Sequence, residues 1–152
     1  MNLLRDEGIP VGGFTTEEIR EGRRRVGFAV ETASGERGIL AHVDLPGPPR
    51  VSKYGVDLEG FEALALPALS NPDPRGVVVV DELGKMELAS EAFRKAVTDL
   101  FEADVAVVAT VHLFRDPFTD RLKRRPDVEV IRLTRADRED LPGRLVHRLR
   151  ER

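Results

Sequence analysis

Hydrophobic positions along the chain follow two rhythms. Continuous apolar runs occur at Val77-Val78-Val79-Val80 and at Val105–Ala109, the pattern of strands buried on both faces. Between Arg24 and Thr32 the rhythm is alternation: Val26, Phe28 and Val30 share one face. Ser34-Gly35 supplies a turn, and Arg37–Val43 returns as the partner strand of an antiparallel hairpin. Ile9–Phe14 reads as a short strand followed by a loop at Thr15–Glu18, and Val128–Leu133 as a further strand. Helical spacing governs the rest. In Leu58–Leu69, residues Phe61, Leu64, Ala65, Ala68 and Leu69 recur at i, i+3, i+4, i+7 and i+8; Pro67 is expected to kink this helix or end it early. Ser90–Phe101 carries the same stripe through Phe93, Ala96, Val97, Leu100 and Phe101. Asp116-Pro117 combines an N-cap with proline at the first helical position. Leu141, Leu145 and Leu149 line a C-terminal helix, and Met1–Glu7 reads as the last turns of a helix stopped at Gly8. The Pro-rich Leu45–Pro49 and the Asn71–Gly76 segment are loops.

Buried strands alternating with amphipathic helices predict an α/β fold, with a mostly parallel sheet and an antiparallel hairpin added to it. No linker divides the chain, so a single domain over residues 1–152 is expected.

Composition narrows the function classes. Hydrophobic residues make up 41% of the 152 residues, enough for a real core and against wholesale disorder. The formal net charge of −3 makes a nucleic-acid partner a poor fit, since such domains are usually basic. No run of 18 apolar residues predicts a membrane span, and the first ten residues lack the apolar segment of a secretory signal. There is no cysteine, which removes disulfides and thiolate metal sites and fits a cytoplasmic protein.

Ligands of open α/β sheets bind beyond the carboxyl ends of the strands. Val77–Val80 leads directly into Asp81-Glu82. In P-loop enzymes a strand-end aspartate holds Mg²⁺, directly or through water. A carboxylate one residue further can act on the attacking water. Strand alternation would put the two on different faces, hence in different roles; the other reading is a solvated turn before a helix. Thr110, after Val105–Ala109, either senses a terminal phosphate or is a structural strand-end threonine. His112 has no second histidine spaced to make a metal site. Arg23-Arg24-Arg25 and Lys123-Arg124-Arg125 are solvated faces, or else one arginine reaches phosphate. Arg138 could stack on a base. Nowhere do the 152 residues contain G-x-x-x-x-G-K-[ST], a G-x-S-x-G elbow or a cysteine nucleophile.

Several stretches resemble one family in order along nearly the whole chain. They are Gly13-Phe14-Thr15-Thr16-Glu17-Glu18, Gly22–Phe28, Tyr54-Gly55-Val56, Phe61–Pro67, Val80-Asp81-Glu82-Leu83-Gly84-Lys85-Met86-Glu87-Leu88, and Thr134–Arg138. The chain is similar to the nucleoside-triphosphatases of thermophilic bacteria and archaea, which include a human cancer-related member. The resemblance implies a RecA-like P-loop fold, a three-layer sandwich, and Mg²⁺-dependent hydrolysis of nucleoside triphosphates to diphosphates with broad base tolerance. It makes Asp81 the Mg²⁺-linked acid and Glu82 the general base, and turns Thr16-Glu17-Glu18 toward the active site. Thr16, Glu17, Thr110 and Arg138 are then the candidate nucleotide-binding residues. Family members open with a strand and a G-x-P-G-x-G-K-T-T loop that these 152 residues lack. The expectation is therefore a sheet without that strand, impaired turnover, and an open sheet edge available for self-association. A non-catalytic structural or interaction domain built on the same shell is the alternative. A phospho-receiver fits less well, for want of an acidic pair after the first strand.

Overall fold

The computed structural model describes residues 1–152. Seven strands form one sheet: β1 (Val11–Glu21), β2 (Arg24–Thr32), β3 (Arg37–His42), β4 (Arg50–Val51), β5 (Tyr54–Val56), β6 (Val77–Leu83) and β7 (Ala106–Val111). Their order across the sheet is β4-β5-β3-β2-β1-β6-β7. Five helices accompany them: α1 (Asn2–Asp6), α2 (Leu58–Leu69), α3 (Glu91–Glu102), α4 (Pro117–Lys123) and α5 (Leu141–Arg150), with a 3₁₀ turn at Glu87–Ala89.

The α/β class holds, and the antiparallel part is larger than a hairpin. Parallel pairing is confined to β1–β6 and β6–β7. The β1–β2, β2–β3, β3–β5 and β4–β5 pairings are all antiparallel. Short turns suffice for antiparallel neighbours, whereas the parallel pairs need the crossovers that carry α2 and α3. β4 and β5 follow the Pro-rich loop and are too short, at two and three residues, to show a period.

Two expectations change. Thr15–Glu18, read as a loop, continues β1: the strand pairs with β2 from Phe14↔Thr32 to Glu21↔Arg24. A ladder supplies backbone partners whether or not the side chains are apolar, so the polar half of β1 needs no hydrophobic rhythm. Val128–Leu133, read as a strand, has no ladder. Its Val130, Ile131 and Leu133 are 59%, 38% and 56% exposed. Strand propensity expresses packing against neighbours, and here no neighbour pairs with it.

The helices follow their sequence signals closely. α2 passes through Pro67 and ends two residues later, where the Ser70 N–H and hydroxyl both bond to the Pro67 carbonyl. A proline in the last turn leaves most of the helical ladder above it intact. Ser90 caps α3 by accepting from the Phe93 N–H, and Asp116 caps α4 by accepting from Phe118 and Thr119.

The core joins sheet and helices through three fully buried rings. Phe14 of β1 meets Phe61 of α2 at 5.5 Å and Phe93 of α3 at 5.8 Å between centroids, and Phe61 meets Phe93 at 5.0 Å. Edge-on and tilted rings of this kind add about 0.5–1.5 kcal/mol per pair beyond their buried area. The Ser90 hydroxyl donates to Glu62 at 2.6 Å, tying α3 to α2. Beneath the rings, β1 and β6 approach so closely that a Cβ on Gly13 would lie 1.8 Å from the Val79 carbonyl oxygen, and Gly13 has φ +91°. Only glycine meets both conditions.

Candidate active site at the carboxyl ends of β6 and β7

β6 and β7 run parallel from Val77↔Ala106 to Val80↔Ala109, so their carboxyl ends emerge side by side. The register then shifts between Val80 and Leu83, and the Asp81–Glu82 peptide is cis. β6 does not stop at the acidic pair but runs on to Leu83, which is buried again. Asp81 and Glu82 are both half-buried.

Thr110, on β7, donates its hydroxyl hydrogen to Asp81 Oδ1 at 2.7 Å. This fixes one carboxylate oxygen of Asp81 and leaves the other without a protein partner. Neither Asp81 nor Glu82 has a cation within ion-pair distance. Burial, and secondarily the Asp81 charge, raise the affinity of the Glu82 carboxylate for a proton above the usual glutamate range. A half-buried, unpaired and more basic carboxylate can accept a proton from a neighbouring water.

Beyond the pair the chain turns sharply. The Gly84 N–H donates to Glu87 Oε2 at 2.8 Å inside the protein. Glu87 is 3% exposed, and burial together with the Glu82 and Asp81 charges lifts its pKa to about 7, against the opposing pull of two backbone hydrogen bonds. Lys85 points outward, with Nζ 4.7 Å from the centre of the Phe114 ring. His112 stacks on Phe114 and its two ring nitrogens have no hydrogen-bond partner. Burial lowers its pKa below the usual histidine value.

The remaining candidates divide. The β1–β6 register ends at Phe14↔Val80, which sets Thr15 and Thr16 just past the last pair, level with the acidic residues. Thr16 is half-buried. Glu17 is exposed and engaged by Arg37 across the meander. Arg138 lies in the exposed turn before α5, and no hydrogen bond or ion pair joins it to the acidic pair. Arg25 bonds Glu18 and the Tyr54 hydroxyl, and Arg125 bonds Asp127 and the Phe101 carbonyl, so these two members of the basic clusters serve local structure. Sequence reasoning missed the part played by Glu87. Its signal was available: a carboxylate three residues after the N–H it caps is the back-reaching half of a capping box.

No three His, Cys, Asp or Glu side chains converge to hold a metal alone. Asp81 nonetheless fits a Mg²⁺ site, because that ion is usually held by one or two carboxylates together with water and phosphate oxygens.

A family profile described as "NTPase" matches residues 1–146. The chain belongs to this NTPase family. Among its relatives, the nucleoside-triphosphatase THEP1 of Thermotoga maritima is 44% identical over 131 residues, covering 86% of this chain and 75% of that protein. The human cancer-related nucleoside-triphosphatase is 41% identical over 153 aligned positions, covering 91% of this chain and 80% of the human one. The fold agrees with solved members of the NTPase family. The crystal structure of THEP1 from Aquifex aeolicus superposes with a TM-score of 0.87 at 31% identity, over 97% of this chain and 88% of that one. The solution structure of the human protein gives 0.83 at 40% identity, over 99% and 87%. The P-loop NTPase-type α/β architecture expected from the resemblance therefore stands. No helix is long and apolar enough to cross a membrane.

Proposed function

We propose that the carboxyl ends of β6 and β7 form the acidic half of a site that hydrolyses nucleoside triphosphates to diphosphate and phosphate. The observation carrying this reading is the Thr110–Asp81–Glu82 constellation in a chain of the NTPase family. Thr110 fixes one oxygen of Asp81, and the other is free to hold Mg²⁺ or one of its bound waters. When bound, Mg²⁺ supplies charge neutralisation to the phosphate oxygens. Glu82 accepts the proton of the attacking water. Thr16, level with the pair together with Thr15, is the β1 candidate to meet the nucleotide. Glu17 and Arg138 are weaker candidates, the first for its ion pair with Arg37 and the second for want of any hydrogen bond or ion pair to Asp81 or Glu82. Hydrolysis tolerant of the base is the expected specificity, as the family resemblance implies.

Phosphate-loop amides, their lysine and their Mg²⁺-binding hydroxyl hold the phosphates in P-loop enzymes. The 152 residues contain no such motif, so a polypeptide of these residues alone is expected to turn over slowly. The test is single-turnover hydrolysis of Mg²⁺-ATP with protein in excess, together with nucleotide affinity. Asp81→Asn is expected to weaken Mg²⁺-dependent binding. Glu82→Gln is expected to leave binding nearly intact and cut turnover by about 10²–10⁴-fold, the usual contribution of a positioned base. Equal, mild losses in both variants would defeat the assignment. A parent chain that binds no nucleotide would make the fold a non-catalytic scaffold. The outer edge of β7 has no ladder partner, and open edges recruit other strands. Sedimentation velocity is expected to show concentration-dependent association; a monomer at every concentration would refute it.

A further inference from the structure

Glu87 is a buried acid that the hydrolytic scheme does not use. It starts the 3₁₀ turn, has no lysine, arginine or histidine in ion-pair contact, and is 3% exposed. The charges that act on it, Glu82 and Asp81, are negative. Burying a carboxylate without a cation is costly, so its presence calls for a role beyond filling space.

The geometry around Gly84 supplies one. Glu87 Oε2 accepts the Gly84 N–H at 2.8 Å. A Cβ placed on Gly84 would stand 2.7 Å from that same oxygen and 3.3 Å from both Cδ and Oε1 of Glu82. The two carboxylates thus converge on one side of the Gly84 α-carbon, where no side chain intervenes. Glu82 lies two residues before Gly84, the most permissive residue in the backbone. The Glu87 hydrogen bond removes that freedom.

We propose that Glu87 is the positioning residue for Glu82: it pins the Gly84 turn from inside the protein and, with the bare glycine, holds the Glu82 carboxylate in one place. The inference rests on the reading of Glu82 as the base. Glutamine at 87 would keep an acceptor for the Gly84 N–H; leucine would fill similar space without one; alanine at 84 would push both carboxylates away while leaving them present.

The experiment compares Glu87→Gln, Glu87→Leu, Gly84→Ala and Glu82→Gln in the full chain. It follows single-turnover Mg²⁺-ATP hydrolysis, Mg²⁺-ATP affinity, and the NMR resonances of the Gly84 amide and the Glu82 carboxyl carbon. Glu87→Gln is expected to keep the Gly84 amide resonance and a rate near that of the parent. Glu87→Leu is expected to move both resonances and lose about 10- to 100-fold in rate at saturating nucleotide, the scale of a 1 Å misplacement, with affinity unchanged. If Glu87→Leu does not fold, Gly84→Ala decides, with the same loss expected. Parent-like rates in Glu87→Leu or Gly84→Ala, beside an inactive Glu82→Gln, would overturn the positioning role alone. Parent-like turnover in Glu82→Gln would overturn the base assignment and the positioning role with it. Should parent turnover fall below detection, the Glu82 carboxyl resonance decides: moved by leucine but not by glutamine supports the proposal, and unmoved by leucine refutes it.

Discussion

Val77–Val80 and Val128–Leu133 both read as strands in the sequence and end in opposite situations. In the first, Val77, Val78 and Val80 are at most 2% exposed; in the second, Val130, Ile131 and Leu133 are 38–59% exposed. β6 has a ladder on each side, from β1 and β7, and the Phe14–Phe61–Phe93 cluster over it. Val128–Leu133 has no ladder, and α5 beside it buries no residue. Beside the half-buried apolar residues of α5, this C-terminal region is held by Arg148 to Glu129 at 2.8 Å and Arg150 to Glu7 at 3.0 Å. Exposed pairs of this kind contribute about 0–1 kcal/mol. The difference teaches that an apolar run states a demand for burial, and the partner strands decide whether it is met.

Three measurements break or sharpen the contrast. Phe93→Ala is expected to destabilise the protein by about 3–5 kcal/mol in urea unfolding, the usual cost of emptying a buried ring site. The next effect lies at the end of β6. Glu87 holds its proton more tightly folded, at about 7, than at its ordinary value of 4.5. The folded state therefore binds more protons between those values. The stabilisation is fully present below pH 4.5 and is lost as pH rises through 7, on the order of 3 kcal/mol at 1.36 kcal/mol per unit. Glu87→Gln is expected to flatten that part of the stability–pH curve, and an unchanged slope would assign it to other groups. The smallest effect is expected at Val130→Ser, within about 0.5 kcal/mol as for other exposed sites. A loss comparable to that of Phe93→Ala would place Val130 in a packed core and erase the contrast.

Much of the fold was legible because its signals are local. The caps at Ser90 and Asp116, the alternation in β2 and the stripe of α2 each depend on a few neighbouring residues, and each appears where the sequence puts it. The polar half of β1 and the short β4 and β5 were not legible, since their partners are set by backbone pairing across the sheet. At the site, Asp81 and Thr110 are joined as strand-end neighbours. Arg138, a candidate for its guanidinium near the last helix and for its place in the family-like stretch Thr134–Arg138, has no hydrogen bond or ion pair to Asp81 or Glu82. Glu87 stands inside the Val80–Leu88 stretch, yet only the turn at Gly84 reveals that it folds back to the Gly84 N–H beside Glu82.

β1 also carries a consequence for the order of assembly. Its polar half pairs with β2 across the tight Gly22-Arg23 turn, whereas its apolar end pairs with β6, which the chain reaches only after three further strands and α2. A hairpin closes within about 1–10 μs, while joining distant segments requires loop-closure entropy before any contact repays it. Pulse-labelled hydrogen exchange during refolding is therefore expected to protect the amides of Glu17–Glu21 before those of Val78–Val80. One strand would then be half folded for most of the reaction, its polar half setting the register that its apolar end later completes.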